Sequence, residues 1–343
     1  MRPVGAASPS EPKAIQDPSR PKETSMWHYI ARRIVYAIPI AIGVTVFCFA
    51  LVFLAPGNPV QMLLPADASQ EVVDLIMKTY GFDRPLPVQY WTWLTRAVVG
   101  DLGVSIQSNR PVIDEVLRAL GNTIFLSFGA VMLAFSIAFV LGTLAAYYRG
   151  SATDRGVTAL SIVGVSIPNY WLGIVLVIIF AVELNWLPAT GMGPRGSETF
   201  NLFEWSHFKH VILPIVTLCM VPVGMITRTT RSAVSEVLGN EFVNTLRAKG
   251  LGELAVIRHA LKNAMPQILA VMGLQFGYLM GGSILVETIF NWPGTGFLLN
   301  KAILTRDIPV LQGTILILAL VFVFTNLVVD LFQTAVDPRI KRS

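Results

Sequence analysis

Charge is what this sequence has least of. Asp, Glu, Lys and Arg make up 14% of its 343 residues, against roughly 25% in an average soluble domain. Hydrophobic residues account for 53%, and the mean hydropathy is +0.61. A soluble globule of this length is thereby excluded, because a core of ordinary size could not bury so many apolar side chains. Cysteine is nearly missing too. Cys48 and Cys219 each sit inside an apolar run, which excludes a disulfide framework and a CxxC metal site. The four His residues are too scattered for metal catalysis. His207 and His210 form an HxxH pair with no carboxylate at a helpful spacing, which reads as interfacial packing or as half of a metal site.

Two further absences bear on energy coupling. No GxxxxGK[ST] stretch occurs, so the chain cannot hydrolyse ATP by the P-loop route and binds no cofactor of its own by that motif. No apolar run carries an interior charge suited to a proton relay or an ion site; Glu287 and Asp330 lie near run ends. Charges deep in a membrane mark coupled secondary transporters, so a stand-alone transporter or channel is the weaker rival. A membrane enzyme is weaker still, since no nucleophile, base and orienter set is visible.

What the chain does have is long apolar runs, each near the ~20 residues that cross a ~30 Å hydrocarbon layer as helix. Six spans can be read: Ile34 to Ala55, Thr123 to Tyr147, Val157 to Val182, Val211 to Thr227, Ile268 to Phe290 and Val310 to Phe332. The fourth is the shortest, and Pro214 and Pro222 predict that it is kinked or broken. Membrane strands alternate over ~10 residues, whereas these runs are continuous, so the fold class is an all-α membrane protein.

Lys and Arg fall into two alternating sets of connecting segments. The N-terminal region, the 148–156 and 228–267 loops and the C-terminal tail hold 17 of the 26, and the longer set on the other side holds 9. The positive-inside rule therefore places both termini in the cytoplasm. The net charge of +5 then reflects membrane topology and calls for no nucleic-acid partner. Four segments follow: a disordered cytoplasmic tail over 1–25, the first span with an extracytoplasmic helical segment over 26–122, a five-helix core over 123–335, and a cytoplasmic tail over 336–343. Within 56–122, Ser69 caps a helix through Val72, Val73, Ile76 and Met77 that stops at Gly81. A second helix starts near Pro87 and presents Tyr90, Trp91, Trp93 and Leu94, and Pro111 opens a third with Ile113, Val116, Leu117 and Leu120. Such helices lie on the bilayer or the bundle, or touch an extracytoplasmic partner.

The 228–267 loop is the most informative connection. Glu241 through Leu251 reads as a short helix stopped by Gly250, followed by an amphipathic helix with Leu254, Ile257, Leu261 and Ala264 on one face, ending before Pro266. A short helix pair joined by one glycine reads as a lever for a partner's cleft or as a plain surface loop. In the fifth span Gly273, Gly277 and Gly281 recur every four residues and line one helix face, which lets another backbone come close or lines a pore. Gln275 and Tyr278 are polar groups available to a path, and Glu287 is either a hydrogen-bonded structural carboxyl or a ligand for an amine.

These residues, with Leu54-Ala55-Pro56-Gly57-Asn58-Pro59, Gly81 to Tyr90, Gly100-Asp101-Leu102-Gly103 and Gly281 to Gly294, resemble the permease subunits of ABC importers. The branch is the dipeptide and oligopeptide permeases with their glutathione and nickel relatives, and the likeness runs from about residue 26 to the end. The resemblance implies the type I importer-permease fold in a bacterial inner membrane. It also implies a second related permease, two ATPase subunits that use the ATP, an extracytoplasmic substrate-binding protein and surrounding lipid as partners. Glu241, Asn244, Thr245, Leu246, Arg247, Ala248, Lys249, Gly250 and Leu251 would form the loop that enters the ATPase cleft. Counted back from Gly250, the motif's Glu-Ala-Ala positions hold Asn244, Thr245 and Leu246, the last in place of a small residue.

Overall fold

A computed structural model describes residues 26–54, 83–194, 197 and 200–336, with single positions 69, 71, 74, 77 and 78. The tail expected over 1–25, the full extent of the helix expected after Ser69, the 54–59 and 81–90 motifs in part, and residues 337–343 lie outside them. The described residues form helices and no strand, with one isolated bridge between Val104 and Pro111.

Among the described residues the first helices are α1 (Met26–Leu54) and α2 (Leu86–Val98). Pro87 sits in the first turn of α2, where its missing N–H is lost at no cost. The Tyr90 hydroxyl lies 2.8 Å from the Thr45 hydroxyl on α1, and the Phe49 ring meets Tyr90 edge-on at 5.5 Å. Trp93 also lies near Phe49, at 6.1 Å, while Trp91 stays exposed. Helix α2 therefore packs on the first apolar helix.

Next comes α3 (Val112–Tyr147), 36 residues long. The short helix expected after Pro111 and the second expected span are one element, because nothing between them breaks the backbone ladder; Pro111 is the cap, and Asp114 and Glu115 suit the first-turn dipole. The third expected span is two helices, α4 (Ala152–Ser166) and α5 (Asn169–Leu176), bent by 95°, with α5 running on as a π-helical turn over Val177–Glu183. Ile167 (ψ 125°) and Pro168 (ψ 128°) both leave the helical region, since the residue ahead of a proline is pushed toward extended backbone.

Of the kink or break expected in the fourth span, a break is absent there and one is found in the third instead. Helix α6 (Trp205–Leu238) runs through Pro214 and Pro222 for 34 residues. A lone proline in a packed membrane helix loses one ladder bond without ending the helix. After α7 (Glu241–Ala248), helix α8 (Glu253–Gly282) likewise runs through Pro266, so the second loop helix and most of the fifth span are continuous. Ser283 separates α8 from α9 (Ile284–Ile289). The described residues end with α10 (Thr295–Thr305) and α11 (Ile308–Val336). Helices α3, α6 and α11 are long and apolar enough to cross a membrane, the bent α4–α5 pair makes a fourth crossing if taken as one span, and α1 offers a shorter apolar stretch.

Helix α6 is central. A Cβ added at Gly142 of α3 would lie 2.6 Å from Cβ of Thr230, and one added at Gly224 of α6 would lie 2.5 Å from the Ser161 carbonyl of α4. Backbones thus approach closely on both sides of α6. The larger core gathers Leu126, Ala130 and Ala134 of α3, Leu218 and Ile226 of α6, Ile268 and Leu279 of α8, and Phe290 and Trp292 beyond them. A second cluster, with Cys48, Leu102, Val112, Val116, Ala302 and Val310, joins α1, the start of α3, α10 and α11.

Candidate functional site

Two regions hold the residues singled out above. The first is the turn of chain between α6 and α8. Asn240, in extended backbone (φ −77°, ψ 148°), starts α7, and Glu241 follows in its first turn. Gly250 closes it at φ +80°, a conformation that costs a residue with a Cβ roughly 1–2 kcal/mol, and nothing crowds the space around it. Of the eight residues of α7 only Val243 is fully buried; Leu246 is half-buried, and Glu241, Asn244, Thr245, Arg247 and Ala248 are exposed, as is Lys249 after them. The segment is thus anchored by one apolar side chain and offers its polar side outward.

An ion pair fastens the far end. Arg247 donates from Nε (2.9 Å) and Nη2 (3.2 Å) to the two carboxylate oxygens of Glu253 in the first turn of α8, and this guanidinium holds the Glu253 carboxyl below its ordinary range. The buried face of α8 runs through Val256, Ala260 and Ala264, with Ile257 and Leu261 partly buried beside them. Leu254, expected on that face, is 83% exposed next to α7 instead, because the face follows the i, i+4 row set by Val256.

The second region surrounds Glu287. Its side chain is fully buried, and both carboxyl oxygens are occupied. Oε1 accepts from the hydroxyls of Thr123 (2.8 Å) and Ser283 (2.8 Å), and Oε2 accepts from the backbone N–H of Gly296 (2.7 Å) and Phe297 (3.2 Å). Those amides belong to the first turn of α10, where helical N–H groups have no partner inside the helix. A Cβ at Gly294 would lie 2.4 Å from Oε2, and one at Gly296 would lie 2.4 Å from Cα of Ile284, so both positions require glycine for the approach. Trp292, fully buried, donates from Nε1 to the Asn122 carbonyl (3.1 Å), and Asn122 Nδ2 donates to the Pro293 carbonyl (2.8 Å). The 281–294 motif is therefore a buried junction of α3, α8, α9 and α10.

The glycine face divides. Added Cβ atoms at Gly273 and Gly277 would meet α11, the first 2.4 Å from Val329 Cγ2 and the second 3.6 Å from Asn326 Oδ1, while Gly281 faces open space. Within this chain, then, the neighbour let in is the last helix. Gln275 is buried with Nε2 unpartnered, and Tyr278 is half exposed with its ring beside Gly282.

Sequence reasoning missed three contacts. Asp154 in the first turn of α4 accepts from Nε of Arg231 and from Nη2 (2.8 Å), although the two are 77 residues apart. Asp307 is buried and accepts from Ser105 Oγ (2.5 Å), Gln107 N (3.1 Å) and Val310 N (3.3 Å), pinning the 101–111 loop to the start of α11. Gln312 of α11 donates to the Cys48 carbonyl of α1 (3.1 Å). The one available signal was a lone polar group beside an apolar run. His207 and His210 contact the backbone carbonyls of Met192 (3.1 Å) and Thr190 (3.0 Å), and no group of three His, Cys, Asp or Glu among the described residues is placed for a metal.

Comparison with known proteins adds the following. A family model described as "Binding-protein-dependent transport system inner membrane component" matches residues 138–342, and one for "Binding-prot-dependent transport system membrane comp, N-term" matches residues 26–127. The dipeptide transport system permease protein DppB of Alkalihalophilus pseudofirmus is 40% identical over 92% of this chain and 100% of its own length. The glutathione transport system permease protein GsiC of Escherichia coli is 38% identical over 92% of this chain and 99% of its own. Among solved structures, a chain of the MetNI methionine ABC transporter in an inward-facing conformation matches with a TM-score of 0.53 at 18% identity, covering 65% of this chain and 96% of that one. That likeness is one of fold.

Proposed function

The chain belongs to the family of binding-protein-dependent transport system inner membrane components, and from that premise we propose that it is the pore-forming permease subunit of an ATP-driven peptide importer. The cargo class is di- or oligopeptides or glutathione-like peptides, and the observation that carries it is identity to dipeptide and glutathione permeases along nearly the whole chain. The chain is a transport subunit and leaves hydrolysis to others. Its partners are a second related permease, two ATPase subunits and an extracytoplasmic binding protein. The six-span topology, with both termini in the cytoplasm, is part of this reading; the 17-to-9 division of basic residues supports it.

Alternating access describes the cycle. A loaded binding protein docks outside, the ATPase pair closes on ATP, and closure is felt at α7. Its exposed polar side, Glu241 with Asn244, Thr245, Arg247 and Lys249, is the contact surface, and the open turn at Gly250 gives a partner room to seat there. The Glu287 junction, with no oxygen left for a passing amine, holds the other end of the bundle in register. Reconstitution of the co-purified complex in vesicles tests the reading: peptide uptake should require ATP and the binding protein. Uptake driven by a proton or sodium gradient after ATP depletion would refute it.

A further inference from the structure

The reading of α7 as the coupling helix leaves open how its movement reaches the spans, and on that reading the following inference rests. Arg231 lies on α6 seven residues before Leu238, so about 10 Å of unbroken helix separates it from the turn into α7. Its guanidinium makes two hydrogen bonds to Asp154, which is 4% exposed and also accepts from Gly150 N (2.9 Å). The Asp154 side chain is 6% exposed and that of Arg231 32%, so separating the two strands a buried carboxylate, and the two residues move together.

A second contact stands two turns away on both helices. Gly224 of α6, seven residues before Arg231, meets the backbone at Ser161 of α4, seven residues after Asp154. Two contacts at equal spacing along both helices tie α4 to this length of α6, which Gly142 of α3 also meets at Thr230. The tied length ends where α4 ends, at the 95° bend through Ile167 and Pro168. Beyond the bend α5 packs on Phe290 and on the length of α6 ahead of Pro222: a Cβ at Gly173 would lie 3.3 Å from the Phe290 ring and 3.4 Å from Thr217 Cγ2.

We propose that Asp154 and Arg231 are positioning residues that link the coupling helix to α4, and that the Ile167–Pro168 bend is the joint about which α4 and the end of α6 swing as one arm. The pair touches neither cargo nor nucleotide. Removing it should leave ATP consumption in place while separating it from movement of the bent span.

The test uses the complete transporter in vesicles and reads cargo translocated per ATP hydrolysed, a ratio that is insensitive to how much complex assembles. Asp154→Asn and Arg231→Met should each lower it about tenfold, inside the roughly 5–150-fold range of ordinary coupling energies. The exchange Asp154→Arg with Arg231→Asp should restore most of the loss. An unchanged ratio in both single variants overturns the inference, and so does a drop that the exchange fails to repair. Failure of the unaltered transporter to couple uptake to ATP would overturn the importer reading itself, a result distinct from either.

Discussion

Truncating Glu287 to Ala separates a structural role from a ligand role. Among the described residues the carboxyl is the one acceptor offered to the Gly296 and Phe297 amides, at 2.7 and 3.2 Å, and no side-chain rotation can turn those amides elsewhere. The Thr123 and Ser283 hydroxyls can rotate, and Thr123 already lies 2.9 Å from Thr295 Oγ1. Two orphaned buried amides at about 1–3 kcal/mol each give a loss of about 4 kcal/mol. Glu287→Gln keeps one oxygen for the amides and turns its NH2 toward hydroxyls that can accept, so its cost is about 1 kcal/mol. At roughly 2 °C per kcal/mol, the low end for large domains, the melting temperature of the purified chain in detergent should fall by about 8 °C for Glu287→Ala and about 2 °C for Glu287→Gln. Equal melting of Glu287→Ala and the parent refutes the junction. A Glu287→Gln protein that melts normally yet imports nothing would show that the carboxyl meets the cargo.

Three further outcomes are expected. Gly250→Asp and Leu251→Asp should leave the protein in the membrane and abolish the stimulation of ATP hydrolysis by loaded binding protein; Gly250→Ala, with open space around it but φ +80°, should fall between them and the parent. Gly142→Ala forces a Cβ to 2.6 Å from Thr230 and 2.8 Å from the Thr227 carbonyl, and should cost about 1–3 kcal/mol in thermal unfolding. Gly121→Ala in the same helix meets nothing within 4 Å and should be neutral or gain about 0.5–1 kcal/mol. Asp307→Ala removes two hydrogen bonds from the 101–111 loop and one from Val310 at the start of α11, so amide hydrogen exchange over 101–111 should be faster than in the parent, with Asp307→Asn intermediate.

Composition and local pattern made the helical class legible. Among the described residues the second, fourth and sixth apolar runs lie within α3, α6 and α11 and most of the first and fifth within α1 and α8, while the third is bent between α4 and α5, because a run of this length has few alternatives to helix in a membrane. Local turn chemistry was legible as well: Pro111 stands at a helix start and Gly250 at a helix stop with positive φ, as their backbone preferences require. Proline inside a run was not. Pro214, Pro222 and Pro266 lie inside helices and Pro168 ends one, although all four interrupt apolar sequence. A proline removes one hydrogen bond wherever it stands; whether the residue ahead of it leaves the helical region is decided by what the two halves can pack against.

That distinction bears on the candidate site. Pattern reading finds features that one segment carries alone, and so it found α7 with its glycine stop. It does not pair Asp154 with Arg231 or Glu287 with Thr123, because the chain between them, 77 and 164 residues long, fixes no register that periodicity reports. What it could have used is cost. Arg231 follows a span that is free of charge, and Asp154 stands in the first turn of a helix capped by Ser151. Asp154 is a charge placed where desolvation demands a partner, and on the proposed six-span topology the loops 148–156 and 228–267 share one side of the membrane. The same reasoning applied to the other side links Asp307 to the 101–111 loop, since on the proposed six-span topology 56–122 and 291–309 share a face. In a membrane protein, then, the sidedness of loops narrows the list of partners for each buried charge, and sequence alone supplies that sidedness.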